Sequence, residues 1–492
     1  MRAKTAGALS GAMAAASLPP FDLWPLGFVA LVPLGWALSD PESIRSDAVA
    51  GGLAFGAVFY GLLLHWAPFT LHGLVSLGAL SGLFLLGILA GVAGIQGLVL
   101  RRLLVRSGPL LALPAVWGGT EFLLAHFGPL AMPWTPLGLA LAAVPEVAGP
   151  AEWLGVRGLS MWIAGVNGVA LLVLRGLLSP TGRSPRTVTG LLLLLALVGV
   201  PALWGKVRAE ALATRPLPSV LVVQLDLPRE QLLIPELRDR RAGEALDRVL
   251  SGLMVADHPV AFALLPEAPF ASPWDEGRAE TITGYAARME FPFLVGSHLR
   301  EEGGLKNALL LVGPDGEVRT VHGKTRLVPL AEWPGLEAGP RGGVLELGGT
   351  MVGVLICSES SFGGEARRLA RGGADLLLNP TNDGWFRPGM MGRSTAAHAQ
   401  HRAHLVMRAV ETRKGAVRSP LGGELLVVGP TGEVLSSEPR GGEGAFIVHP
   451  LTSPVTSGFV RLGDLSGWLS GLLLLIAFFR PRLSARVDLF PG

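Results

Sequence analysis

The order of apolar and polar positions divides the chain into two kinds of sequence. Long apolar runs with few charges lie near 5–18, 24–39, 49–66, 73–99, 109–126, 158–178, 188–205 and 463–479. Because a helix needs about 20 apolar residues to cross a bilayer, we predict transmembrane helices one to seven in 1–206 and an eighth at 463–479. Residues 1–20 also have the basic start and small-residue end of a cleavable signal peptide, so that alternative stays open.

The central segment, 216–450, alternates short apolar runs with polar ones. The runs SVLVVQLD at 219–226 and VAFALLPE at 260–267 are typical of buried strands, and further strands are predicted at 292–297, 308–313, 343–347, 350–356 and 374–378. Helices are predicted at about 236–254 and 395–414, and a last hairpin at 423–448 around GPTGE. The chain as a whole is therefore predicted to be α + α/β, with an eight-helix transmembrane bundle carrying a layered α/β domain.

Composition supports a membrane protein and argues against some functions. Half of the residues are hydrophobic and 16% are charged, against about 25% charged residues in ordinary soluble domains. Mean hydropathy is +0.47. The formal net charge of +3 is small, and no basic patch alternates with aromatic residues. We therefore expect a bilayer as partner and no nucleic acid.

Arginines mark alternate loops of the apolar regions. One set of loops carries Arg45, Arg101, Arg102, Arg106, Arg175, Arg183, Arg186, Arg480, Arg482 and Arg486. The loops in between, around 65–72 and 127–157, carry Arg157 alone. Because positive charge stays on the cytoplasmic side, this asymmetry predicts a cytoplasmic tail at 480–492 and a 216–450 domain that faces the periplasmic, extracytoplasmic side.

Three residues near the ends of predicted elements are candidates for chemistry. Cys357 is the only cysteine, so it forms no intramolecular disulfide, and one thiolate without clustered ligands makes a poor metal site. An unpaired thiol in an oxidising compartment is a liability unless it is needed or protected. Glu267 follows the run AFALLP, and Lys324, one of five lysines, lies in VHGKTRLVPL. The alternatives are a buried structural cysteine and two solvated strand-end charges.

Four motifs connect these residues to a known family. PEAPF at 266–270, GKTRLVPLAE at 323–332, CSE at 357–359 and NDGWF at 382–386 together resemble the nitrilase (carbon–nitrogen hydrolase) superfamily. With LPPFDLWPLGFVALVPL, FYGLLLHW and PWTPLG added from the apolar half, the chain resembles the apolipoprotein N-acyltransferases over nearly its full length. The resemblance implies a nitrilase-like αββα sandwich at 216–450 that carries a Glu-Lys-Cys triad.

The same resemblance implies a reaction. A phospholipid would donate an acyl chain to Cys357, and the α-amine of an N-terminal S-diacylglyceryl-cysteine of a lipoprotein would accept it. Glu267 would be the general base, and Lys324 would stabilise the oxyanion together with the N–H of Ser358. We expect no cofactor, no metal, a monomer, and a location in the bacterial inner membrane. The alternative is a membrane-anchored nitrilase-type amidase or hydrolase, in which water is the second nucleophile.

Other residues of the motifs are expected to support the triad. Glu332 and Glu359 would orient Lys324 or act as a second acid–base group, although ordinary loop carboxylates are the alternative. Trp385 and Phe386 would line the acyl entrance, with packing in the core as the alternative, and Trp134 would shape a lipid-facing cleft. His401 and Glu411 lie on the predicted 395–414 helix and are expected to be structural.

The chain also departs from the family pattern. Asp226 sits where Asn is frequent, and SPLGG at 419–423 lacks the usual Asn-Thr-Gly turn. Three more departures lie in the motifs of the cysteine and the lysine. Ser358 stands where an aromatic residue usually follows the cysteine, and Arg326 and Ala331 replace the common His and Gly of the lysine motif. None of these changes removes a member of the triad. The three in the motifs fall beside Cys357 and Lys324, where the acyl donor would lie.

Overall fold

A computed structural model describes residues 2–72, 78–180, 184–227, 229–232, 234–251, 260–271, 274, 276–301, 304–328, 332, 335–386 and 395–479. The predicted tail at 480–492 with its arginines, Arg183, Ala331 and the first five residues of the predicted 73–99 helix lie outside these ranges. The chain forms two compact units. The helical unit comprises Met1–Pro68, Ala79–Ala211 and Asp464–Gly492, and the sheet unit comprises Phe69–Gly78 and Leu212–Gly463.

Helices dominate the chain before the first strand. The described residues there form α1 (Ala3–Ser17), α2 (Val32–Leu38), α3 (Arg45–Leu63), α4 (Ala67–His72), α5 (Gly78–Ser107), α6 (Pro109–Ala125), α7 (Ala151–Leu178) and α8 (Pro185–Glu210). A C-terminal helix, Leu465–Phe479, completes the helical unit. Short 3-10 helices lie at Trp24–Phe28, Gly128–Leu130 and Leu137–Ala143.

Four of the described helices, α3, α5, α7 and α8, are long and apolar enough to cross a membrane. Three shorter apolar segments, Trp24–Leu38, α6 and the C-terminal helix, fall below that length, so the count of eight spans stays a prediction. The run at 24–39 is not one helix, because it divides into the 3-10 helix and α2. A proline lies in the first two positions of each piece, where its missing N–H suits the start of a helix.

The sheet unit contains fifteen described strands and six described helices. The strands are β1 (Arg215–Pro216), β2 (Ser219–Gln224), β3 (Val260–Leu264), β4 (Phe293–Glu301), β5 (Gly304–Val312), β6 (Val318–Gly323), β7 (Leu336–Glu337), β8 (Val344–Leu347), β9 (Thr350–Val354), β10 (Leu376–Asn382), β11 (Gly415–Leu421), β12 (Leu425–Val428), β13 (Val434–Glu438), β14 (Gly444–Val448) and β15 (Leu451–Thr452). The helices are α9 (Arg229–Leu232), α10 (Pro235–Ser251), α11 (Glu276–Met289), α12 (Gly363–Arg371), α13 (Thr395–Thr412) and α14 (Gly458–Leu462).

The strands form two mixed sheets and one two-stranded ribbon. The larger sheet has the order β14-β2-β3-β4-β5-β6, with β7 beside β5, and the smaller has the order β13-β12-β11-β10-β9-β8. Parallel pairing runs through β2-β3-β4 in the larger sheet and through β9-β10-β11 in the smaller. The outer pairs along both strand orders are antiparallel, whereas β7 pairs parallel with β5. In the ribbon β1 pairs with β15 antiparallel.

The central strands carry apolar side chains on both faces. One face of each sheet therefore packs against the other sheet, and the opposite face packs against helices. Val222 of β2 joins Val354 of β9 and Leu378 of β10 in the core between the sheets. Its neighbour Leu221 faces the opposite way and packs with Leu246 of α10 in an outer core under α10 and α11. Helix α12 packs on β9, and α13 packs on β11 and β12. The layers are therefore α, β, β, α, and the predicted nitrilase-like sandwich is confirmed.

Some local predictions were wrong. The strand predicted at 260–267 ends at Leu264, so Glu267 lies beyond it. The predicted hairpin at 423–448 is formed by β12 and β13 only, because β14 leaves the smaller sheet and pairs with β2 of the larger one. Strands β6 and β11 and helices α11 and α12 were not predicted.

Candidate active site

The sheet topology gathers the candidate residues at one edge of the sandwich. Glu267 follows β3, Lys324 follows β6, Cys357 follows β9 and Asp383 follows β10. Strand β6 runs parallel to β3 and β4, because β5 is antiparallel to both β4 and β6. The carboxyl ends of parallel strands meet at the same edge of a sheet, so the Glu267 and Lys324 loops lie together on the larger sheet and the Cys357 and Asp383 loops on the smaller. Hydrogen bonds from the Asn382 N–H to Glu267 and from the Thr325 N–H to Glu359 join the two edges.

Lys324 is buried between two carboxylates. Its side chain is 3% exposed, and Nζ lies 2.9 Å from Glu267 Oε1 and 2.8 Å from Glu332 Oε1. Burial alone would lower the pKa of Lys324, but the charges of Glu267 and Glu332 outweigh it and raise the pKa well above its usual value. The side chain is therefore an ammonium ion at neutral pH.

Two further hydrogen bonds fix the position of Glu267. Asn307 of β5 donates a side-chain N–H to Glu267 Oε1 over 2.8 Å, and the backbone N–H of Asn382 donates to Oε2 over 2.8 Å. The backbone N–H of Lys324 donates to the Asn307 carbonyl over 2.7 Å. Asn307 thus holds both the carboxylate and the loop that carries the lysine.

Cys357 begins a 3-10 helix, Cys357–Ser361, with a φ of 50°. This left-handed conformation costs a residue other than glycine about 1–2 kcal/mol. Three side-chain groups lie around the Cys357 carbonyl: Ser360 Oγ at 3.0 Å, His401 Nε2 at 3.0 Å and Asn379 Nδ2 at 3.2 Å. The surrounding hydrogen bonds therefore stabilise a strained turn that presents the thiol at the end of β9.

The Cys357 thiol is neutral at rest. It is 8% exposed. Burial raises its pKa, the negative charge of Glu267 raises it further, and the nearby Lys324 ammonium only partly opposes them. Attack on a substrate therefore needs a base that removes the thiol proton.

Glu359 connects the lysine loop to the cysteine turn. Its Oε1 accepts hydrogen bonds from the Thr325 N–H, the Thr325 hydroxyl and the Arg326 N–H over 2.7, 2.7 and 3.3 Å. Its Oε2 lies 2.8 Å from His322 Nε2 and accepts the Ile356 N–H over 2.8 Å. Burial would raise the pKa of Glu359, but the partners at His322 and Thr325 lower it below its usual value.

A second network of buried polar side chains lies next to the Cys357 turn. His401 Nδ1 lies 2.9 Å from Asp383 Oδ1, and Arg418 donates from Nε to Asn379 Oδ1 over 2.9 Å. Cys357, Asp383 and His401 offer atoms within 4.8 Å of one another that could ligate a metal. The arrangement is a poor cation site, because both His401 nitrogens already face Asp383 and the Cys357 carbonyl, and the Arg418 guanidinium lies 3.8 Å from Asp383.

The remaining predicted residues lie in different places. Ser358 is the second residue of the cysteine turn, where its N–H has no intrahelical partner, and its hydroxyl donates to the Arg326 carbonyl over 3.4 Å. The Phe386 ring lies 6.2 Å from the His401 ring. Trp385 lies 5.8 Å from the Arg238 guanidinium and packs on the outer core. Trp134 belongs to the helical unit, where its ring lies 5.6 Å from that of Trp66.

Several residues of the site were missed from the sequence. Asn307 lies within β5 and His322 near the end of β6. The order of apolar and polar positions did not mark either residue as functional. Asp383 was quoted as part of NDGWF but assigned no role. His401 was expected to be structural, and its contact with the Cys357 carbonyl agrees with that expectation. Glu411 likewise pairs with the buried Arg408 on the same helix, 3.0 Å away.

Comparison with known proteins matches both parts of the chain. The family model described as apolipoprotein N-acyltransferase N-terminal domain matches residues 10–169, and the model described as carbon-nitrogen hydrolase matches residues 253–450. Among solved structures, an amidase from Nesterenkonia sp. aligns with a TM-score of 0.35 and 19% identity, covering 52% of this chain and 96% of the amidase.

Curated relatives extend over nearly the whole sequence. The apolipoprotein N-acyltransferase of Geobacter metallireducens is 28% identical over 94% of this chain and 91% of its own length. The apolipoprotein N-acyltransferase of Gloeobacter violaceus is 30% identical over 84% of this chain and 81% of its own length. The chain belongs to the apolipoprotein N-acyltransferase family.

Proposed function

We propose that this protein transfers a fatty acyl chain from a membrane phospholipid, through a thioester on Cys357, to the α-amine of an N-terminal S-diacylglyceryl-cysteine of lipoproteins. The observation that carries the proposal is a buried Lys324 held between Glu267 and Glu332, on loops that Glu359 connects to the Cys357 turn. The relatives named apolipoprotein N-acyltransferase cover both units, which supports the same activity.

In the first half-reaction Glu267 removes the thiol proton while the Cys357 sulfur attacks the ester carbonyl. Because the pKa of Cys357 is raised, proton transfer and S–C bond formation occur together, without a resident thiolate. The Lys324 ammonium and the N–H of Ser358 stabilise the oxyanion, and one such donor contributes about 3–4 kcal/mol. The ester C–O bond then breaks, Glu267 returns the proton to the leaving alcohol, and lysophospholipid departs.

In the second half-reaction the lipoprotein amine attacks the thioester. An α-amino group has a pKa of about 8, so a usable neutral fraction exists at neutral pH. Glu267 accepts the proton that the amine loses as the amide C–N bond forms. The C–S bond then breaks, and Glu267 passes that proton to the Cys357 sulfur, which restores the thiol and the carboxylate. The carboxylate thus serves in both halves of a ping-pong reaction.

The placement in the cell is part of the proposal. Residues 1–206 would supply transmembrane helices one to seven and 463–479 the eighth, with the catalytic domain at 216–450 on the periplasmic side of the bacterial inner membrane and residues 480–492 in the cytoplasm. The arginine asymmetry of the loops supports this orientation. A thiol held near the bilayer surface would reach a lipid ester without extracting the lipid.

The test is a transfer assay with the purified full-length protein, phospholipid that carries a labelled acyl chain, and a diacylglyceryl-cysteine peptide. We expect the label on the amine of the peptide and little free fatty acid, with Cys357→Ala as the inactive control. If fatty acid is released at the same rate with and without the peptide, the protein is the membrane-anchored hydrolase instead.

A further inference from the structure

Three arginines share one carboxylate beside the catalytic loops. Arg326 Nε and Arg341 Nη2 lie 3.2 and 3.0 Å from Glu365 Oε1, and Arg368 Nε lies 3.2 Å from Glu365 Oε2. Glu365 is buried, whereas the three arginine side chains are 38%, 48% and 32% exposed. We call these four residues the arginine cluster.

The arginine cluster has more positive charge than its carboxylate can neutralise. Three guanidinium groups surround one negative charge, and no other carboxylate of the described residues lies within 4 Å of them. Arg326 uses only Nε in its ion pair, so its two terminal nitrogens have no acceptor within the described part of the chain. Like charges held this close repel one another, which favours an anion that binds between them.

The position of Arg326 connects the cluster to the proposed chemistry. Arg326 lies two residues after Lys324, and its N–H donates to the same Glu359 oxygen as Thr325. Its carbonyl accepts the hydroxyl of Ser358, the residue that follows Cys357, and its guanidinium lies 5.0 Å from the centre of the Phe362 ring. The cluster therefore borders both the lysine loop and the cysteine turn.

The proposed active site must distinguish two lipid substrates, the acyl donor and the acyl acceptor. Both the donor and the acceptor carry a diacylglyceryl group, so apolar contacts alone distinguish them poorly. A phospholipid donor has a phosphate on the third glycerol carbon, whereas the acceptor has a thioether there. The phosphate is the charged group by which a site can recognise the donor, and guanidinium forks match phosphate geometry.

We infer that the arginine cluster binds the headgroup phosphate of the phospholipid donor and so distinguishes it from the lipoprotein acceptor. This inference rests on the proposed function and adds the group by which the donor is selected. Arg326 stands where the family commonly has His, so the departure in the lysine motif contributes an additional permanent positive charge.

The experiment compares two acyl donors that carry the same chain. Dipalmitoyl phosphatidylglycerol contains the phosphate, and p-nitrophenyl palmitate in the same detergent micelles does not. The measured quantity is kcat/KM for acylation of Cys357 with each donor. We expect Arg326→Gln and Arg341→Gln each to lower the ratio of phospholipid to ester kcat/KM about tenfold, mainly through a higher KM for the phospholipid.

Two further variants sharpen the result. Arg371→Gln removes the same charge from an exposed position at the end of α12 and should leave the donor ratio unchanged. Arg326→Lys keeps the charge but loses the planar fork, so it should recover part of the ratio. Inorganic phosphate, compared with chloride at equal ionic strength, should compete with the phospholipid in the wild-type protein and less in Arg326→Gln.

The outcomes separate this inference from the proposed function. Equal losses with both donors would mean that Arg326 and Arg341 only hold the lysine loop, and would overturn the inference. Competition by phosphate with unchanged phospholipid kinetics in the variants would indicate a site for free anions and would also overturn it. If neither donor acylates Cys357 in the wild-type protein, the proposed function itself fails.

Discussion

Two buried glutamates, Glu267 and Glu359, lie on neighbouring loops of the sheet unit and are held in different ways. Glu359 receives five hydrogen-bond contacts, from three groups at Thr325 and Arg326 and from His322 and Ile356. Glu267 receives three, from Lys324, Asn307 and the N–H of Asn382. An ionised carboxylate has about four acceptor positions.

We propose that this difference separates a carboxylate that reacts, Glu267, from a carboxylate that positions the loops, Glu359. Glu359 is saturated, so protonating it would break the contacts that connect the lysine loop to the cysteine turn. Glu267 keeps acceptor capacity, and its charge acts directly on the Cys357 thiol. We therefore expect both glutamine variants to be less active. Glu267→Gln lacks the base, and Glu359→Gln loses contacts that connect the lysine loop to the cysteine turn.

The largest expected effect is that of Glu267→Gln on acyl transfer. Glutamine keeps an oxygen for Lys324 and Asn307 but cannot take the thiol proton, and a general base contributes about 10²–10⁴-fold. Transfer to the diacylglyceryl-cysteine peptide should fall by about 10³-fold. The amide N–H₂ group then faces the Asn382 N–H, so the free energy of unfolding should also fall, by about 1–3 kcal/mol. Activity within about tenfold of the wild type would remove Glu267 from the role of base.

Glu359→Gln should reduce both activity and stability. The amide N–H₂ group would face at least one donor that now reaches a carboxylate oxygen, and an unsatisfied buried group costs about 1–3 kcal/mol. We expect the free energy of unfolding to fall by about 2 kcal/mol and transfer to fall about tenfold. Denaturant unfolding of the two variants side by side measures this, and a stable but wholly inactive Glu359→Gln would contradict the assigned roles.

Thiol reactivity should distinguish the two variants again. Since the pKa of Cys357 is raised, alkylation by iodoacetamide should increase with pH beyond pH 9 without reaching a plateau. Because attack by the neutral thiol needs Glu267 to take its proton, Glu267→Gln should slow alkylation at neutral pH as well as transfer. Glu359→Gln should change the rate little. A plateau below pH 9 in the wild-type protein would refute the neutral resting thiol.

The smallest expected effect concerns acid stability. The pKa of Glu359 is lowered on folding from about 4.5, so its stabilising contribution is present above about pH 4.5 and is lost as the pH falls through the folded-state value. The stability of the wild-type protein should therefore decrease on acidification below pH 4.5 more steeply than that of Glu359→Gln. Equal slopes in thermal unfolding between pH 5 and 3 would show that Glu359 is not the linked group.

The sequence predicted a layered α/β sheet unit and the positions of Glu267 and Cys357, because each follows an apolar run that marks a buried strand. Lys324 follows β6, which is largely polar, so that residue was found from the scarcity of lysine and the lysine motif instead. The sequence did not predict that β14 pairs with β2, since such pairing depends on contacts distant in sequence. Asn307 gave no signal, because a polar residue within a strand looks the same whether it faces solvent or a carboxylate. The run at 24–39 is apolar enough to suggest one helix, but a proline starts each of its two helical pieces, and hydropathy alone does not show that division.

The most direct test of the account is single-turnover acylation of Cys357, followed by intact mass after phospholipid is mixed with the wild-type protein, Glu267→Gln and Glu359→Gln. If Glu267 removes the thiol proton, an acyl adduct forms on the wild type within the first sampling times and more slowly on Glu359→Gln, and none forms on Glu267→Gln over the same period. An adduct on Glu267→Gln that forms as fast as on the wild type would contradict the central claim that Glu267 removes the Cys357 proton.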